Sequence, residues 1–134
     1  MRIVYYLTYL MVAVFLMGET ARRGIGYLSI NATTMIEDYL CGLRLLAAAL
    51  IWRSGAAWGA TLMASAWAYA TGGMFVPFAA HLEAWLRQET FRPDHPHEDL
   101  NSVILKGVIW AVCLICFMVS LSNARGKKPQ PSEI

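Results

Sequence analysis

The chain has 134 residues, of which 57% are hydrophobic and only 15% charged, with a formal net charge of +2. A soluble domain carries about 25% charged residues, so this composition excludes an ordinary soluble domain. No basic patch interleaved with aromatics is present, which argues against nucleic acid as a partner.

Four apolar runs dominate the sequence, at residues 3–18, 39–52, 57–78 and 107–121. They are continuously apolar rather than alternating, which disfavours a membrane β-barrel. The expected fold is all-α: a polytopic integral membrane protein built as a four-helix transmembrane bundle with short loops. Its helices are expected at about 3–19, 34–53, 57–86 and 102–122, since a span needs roughly 20 residues. Residues 123–134 carry Arg125, Lys127 and Lys128 with two prolines and read as a disordered basic tail.

The first segment opens with Met1-Arg2 and resembles a signal peptide in its charge and its apolar run. That run exceeds the usual h-region, and Gly18-Glu19-Thr20-Ala21 makes a poor cleavage site. Retention as a membrane helix is the expectation. Tyr5, Tyr6 and Tyr9 sit near its start, where an aromatic belt belongs. Its end reads as an interfacial turn through Arg22-Arg23-Gly24-Ile25-Gly26. Asn31-Ala32-Thr33 fits a glycosylation pattern that is common by chance.

Thr34 and Glu37 have capping-box spacing and predict the start of the second helix. Its apolar part is short, so Glu37 and Asp38 should lie in the headgroup region. Arg44 is the sharpest single residue. It sits about 10 Å below Glu37 along a helix, near mid-depth, where an arginine costs several kcal/mol (about 2.5–3.5 on insertion scales) unless paired or hydrated. Glu37, Cys41 and Arg44 share a face, which is expected to point into the bundle as an ion pair, an anion site or a polar cavity.

A connection as short as Arg53-Ser54-Gly55-Ala56 forces an antiparallel hairpin into the third segment. There Ala56, Ala60, Ala64, Ala68 and Gly72 recur every fourth residue, a ridge suited to close helix packing. Gly72-Gly73 and Pro77 predict a bend. His81 and Glu83 close the segment; with Glu19, Arg22, Arg23, Glu37 and Asp38 they form a polar cluster at one membrane face. Two residues apart on one helix, however, His81 and Glu83 point in nearly opposite directions.

The following loop holds Asp94-His95-Pro96-His97-Glu98-Asp99. His95, His97, Asp94 and Asp99 are metal-compatible ligands in a pattern of no established spacing; a solvated acidic loop is the plainer reading. Asn101 or Ser102 is expected to cap the fourth helix. Cys113-x-x-Cys116 has redox spacing but lies inside an apolar run, away from the helix N-terminus that lowers a thiol pKa. Buried cysteine otherwise packs as a small hydrophobe.

Four spans place both termini on one side. Basic residues divide evenly between the two sides, but eight of the nine acidic residues fall opposite the termini. Cytoplasmic termini in a plasma or inner membrane are the expectation. No catalytic constellation is complete, and the sequence names no cofactor. The leading function is therefore a non-enzymatic accessory subunit or binding and scaffolding module. Its partners would be the lipid bilayer and either a larger membrane complex or further copies of itself. One alternative is an oligomeric transporter or channel component using Arg44, Glu37 and the bent third helix. A second is a membrane-embedded metal-dependent enzyme using His81 and nearby carboxylates.

Overall fold

The computed structural model describes residues 2–29, 32–88 and 99–126. They form four long helices in an all-α arrangement: α1 (Arg2–Arg23), α2 (Ala32–Arg53), α3 (Gly59–Arg87) and α4 (Leu100–Gly126). A short 3-10 helix, Ile25–Ser29, joins α1 to α2. The turn after α1 comes later than the Arg22-Arg23 sequence implies, because the helix runs through both arginines. It stops where Gly24 adopts φ 77°, a left-handed conformation that favours glycine. The second helix likewise starts at Ala32, so Thr34 and Glu37 lie inside it and not at its cap.

Each helix packs on its neighbour in sequence, and α4 touches α1 to close the ring. The interior is built from Met11 and Phe15 of α1, Leu45, Ala48 and Ala49 of α2, Met63, Ala66, Trp67 and Ala70 of α3, and Cys113 and Cys116 of α4. Small residues let the backbones approach. A Cβ on Gly42 would stand 2.7 Å from two carbons of Leu16 on α1. One on Gly107 would stand 3.0 Å from the Phe78 ring, which itself stacks on Trp110 at 5.5 Å. Thr8 is wholly buried. Its hydroxyl donates to the Val4 carbonyl at 2.7 Å and lies 3.6 Å from Met63 Sδ on α3.

Much of the outer surface is apolar as well. Ile3, Leu10, Val76, Ile104, Val108 and Ile115 are all exposed, while alanines and Thr8, His81 and Ser120 are buried. At 22, 22, 29 and 27 residues, all four helices reach the roughly 30 Å of a bilayer core. Length and apolarity together single out α4 among the described residues, and only 17% of its apolar window is buried. The apolar part of α1, Arg2–Gly18, is shorter. α2 is interrupted by Glu37, Asp38 and Arg44, and α3 holds eight alanines and three glycines against three leucines, one valine and no isoleucine. By that measure one helix qualifies as a span, where the sequence pattern led to an expectation of four.

α3 continues as helix through Gly72, Gly73 and Pro77. Proline brings no N–H, so the Gly73 carbonyl loses the donor it would otherwise have four residues on. At the start of α4 the cap is Asp99, whose carboxylate accepts the Asn101 N–H at 3.2 Å, and not Asn101 or Ser102. Asp fills that role because its oxygen reaches a free first-turn donor.

Candidate functional site

A cleft of about 340 Å³ opens between α2 and α3, lined by Glu37, Cys41, Ala68, Tyr69, Gly72 and Gly73. Its floor follows from the small residues. Gly73 leaves room for Cys41 Sγ, which a Cβ would meet at 3.5 Å, and nothing lies within 4 Å of a Cβ placed on Gly72. The ridge expected from the sequence thus changes role along α3. Ala60 and Ala64 are buried against neighbouring helices, Ala68 is half-buried, and Gly72 is open.

The expectation that Glu37, Cys41 and Arg44 all face inward is corrected. Cys41 is buried, whereas Glu37 and Arg44 are exposed. The helical repeat accounts for this: at about 100° per residue, Glu37 and Arg44 align within about 20°, and Cys41 stands about 40–60° to the inner side. Arg44 forms no ion pair with a carboxylate among the described residues. Its guanidinium instead stacks over the Tyr69 ring, with Cζ 3.8 Å from the ring centroid. Such a contact is worth about 0.5–2 kcal/mol, more when water is excluded. Tyr69 walls the cleft with Glu37, Gly72 and Gly73, and Arg44 reaches its edge through the Tyr69 ring.

The rest of the polar cluster divides. Asp38 is half-buried and has a partner, so it is part of the packed structure. His81 is 5% exposed, while Glu83, two residues on, is exposed and pairs with Arg87 at 2.6 Å. Neither is among the residues that line the cleft. Glu19, Arg22 and Arg23 fall in the last turns of α1, with their side chains outside the described residues, as are Asp94, His95 and His97. Among the described residues no group of three or more His, Cys, Asp or Glu side chains could hold a metal ion. Cys41, Cys113 and Cys116 are free thiols and all buried.

Two features escaped the sequence reading. Tyr69 as the partner of Arg44 could have been found, since it adjoins Ala68 on the ridge facing α2. The second is a cleft of about 340 Å³ at the opposite end, lined by Arg2, Tyr5, Tyr6, Trp52 and Arg53. Four spans would put Arg2 and Arg53 on one side of a membrane, but their meeting depends on how α1 packs against α2.

The chain matches no known protein family, no curated protein and no solved structure. The functional reading therefore rests on these residues alone.

Proposed function

We propose that this is a non-enzymatic integral membrane protein in which all four helices span the bilayer, with both termini on the cytoplasmic side of a plasma or inner membrane. It acts as an accessory subunit, and the α2–α3 cleft receives an apolar helix of a larger membrane protein. The membrane reading is supported by the apolar outer surface, where Ile3, Leu10, Leu50, Val76, Ile104 and Ile115 stand exposed along the helices although the interior is apolar as well. In water that outer surface would be a large aggregation hazard; in lipid it is solvated.

The observation that carries the binding role is Arg44. It is exposed near the middle of α2, beside an open cleft, with an aromatic ring in place of a carboxylate as its partner among the described residues. A cation left facing hydrocarbon costs about 2.5–3.5 kcal/mol on insertion scales. A helix seated in the cleft, apolar but for one acidic or amide side chain facing Arg44, would shield the cation from lipid, and Gly72 allows close approach.

Glu37 in the cleft wall, with Arg44 stacked on Tyr69 beside it, also supports a second reading, an oligomeric transport component with the cleft as part of a path. Purification from native membranes in mild detergent, with mass spectrometry and metal analysis of the same peak, separates the two. The accessory reading expects a stoichiometric larger membrane protein with the wild-type chain, lost in Gly72→Leu and retained in Arg125→Gln. A metal-free homo-oligomer broken by Gly72→Leu favours transport. A partner-free peak with about one metal per chain would overturn both.

A further inference from the structure

We infer that the cleft between the start of α1 and the end of α2 binds the phosphate of an anionic lipid headgroup, held between Arg2 and Arg53. The two arginines are far apart in sequence and reach one cleft because α1 and α2 pack antiparallel. Tyr5, Tyr6 and Trp52 complete its walls. Neither guanidinium forms a hydrogen bond or ion pair with a described residue. The described carboxylates Glu37, Asp38 and Glu83 all belong to the other end of the helices, and Asp99 caps α4 there.

Two like charges lining one cleft repel, and an anion between them relieves that repulsion. Guanidinium matches phosphate oxygens with paired N–H donors. Tyr and Trp rings are suited to the headgroup level, where an apolar body meets a polar tip. The basic pair and the aromatic walls together therefore specify a phosphate at the membrane surface. The cleft belongs to the end that the topology assigns to the cytoplasmic leaflet, whose lipids are the more anionic.

The proposal rests on the membrane reading, and one experiment keeps their failures apart. The full chain in mild detergent is mixed with equal amounts of phosphatidylglycerol and phosphatidylcholine, and retained lipid is counted by native mass spectrometry. Each arginine near an anionic surface contributes about fivefold in affinity, so the pair should give a preference of roughly thirtyfold for phosphatidylglycerol. Arg2→Gln with Arg53→Gln should reduce it to near parity, and Arg125→Gln should leave it unchanged. Excess inorganic phosphate should not displace the lipid. Equal retention of both lipids by the wild type, a preference that survives in the double variant, or displacement by free phosphate would each overturn the proposal. Alkaline carbonate extraction of the same chain from vesicles tests the membrane reading separately. A chain that is stripped from vesicles fails that reading, whereas an extraction-resistant chain without lipid preference fails this proposal alone.

Discussion

Gly42 and Gly72 are both helical glycines, but a methyl group meets opposite surroundings at the two positions. At Gly72 it would enter open space, with no atom within 4 Å. At Gly42 it would stand 2.7 Å from Leu16 Cγ and Cδ2 and 3.3 Å from Phe15 Cβ. Replacing glycine by alanine inside a helix gains about 0.5–1 kcal/mol at either site. Gly72→Ala should keep that gain. Gly42→Ala must also displace the Leu16 side chain and crowd Phe15 Cβ, an overpacking cost of about 1–3 kcal/mol. Because the propensity gain is common to both, the difference between the variants isolates the packing, about 1–3 kcal/mol in favour of Gly72→Ala. For a chain of this size that is a separation of roughly 3–15 °C in Tm. Thermal unfolding in detergent, followed by tryptophan fluorescence with Trp67 in the core, measures it. Equal midpoints, or Gly72→Ala melting below wild type, would refute the assignment of Gly42 to a tight helix contact and Gly72 to an open cleft.

Tyr69→Phe should preserve the stack with Arg44 and the melting temperature, whereas Tyr69→Leu should lose about 0.5–2 kcal/mol, read by the same scan. Ser120 is wholly buried and its hydroxyl has no hydrogen-bond partner among the described residues. Ser120→Ala should therefore be neutral or stabilising by about 1 kcal/mol; a clear destabilisation would show that the hydroxyl has a partner. Glu83→Gln removes the exposed pair with Arg87 and should cost no more than about 0.5 kcal/mol. That loss should vanish in high salt when the wild type and the variant are compared at two ionic strengths.

Long apolar runs separated by turn residues made the four-helix plan legible in the sequence. Helix ends were less so. Asp99 and Asn101 are both good caps, and the choice between them depends on where the chain leaves the preceding loop. Arg22 and Arg23 looked like turn residues only because the stop signal one residue later, Gly24, acts through its backbone angle. The direction in which Arg44 points was not legible either. Periodicity puts it on one stripe with Glu37, but whether that stripe faces in or out depends on how α2 is rotated against α1 and α3. That rotation turns Gly42 onto Leu16 and Phe15 of α1, where only a glycine fits without displacing its neighbours. The alanine ridge was legible as a packing surface, though not as one that is closed at Ala60 and Ala64 and open at Gly72.

The central claim is that α2 crosses the bilayer as part of a four-span bundle, and its two ends offer the most direct test. Ser29 precedes α2 and Ser54 follows it, and both are exposed. With Cys41, Cys113 and Cys116 replaced by alanine, single cysteines at Ser29 and Ser54 are probed with a membrane-impermeant thiol reagent in sealed, oriented vesicles. The account predicts labelling from opposite sides, with Ser54 on the same side as the termini. Labelling of both positions from the same side would contradict it, and would leave α4 as the span that length and apolarity support.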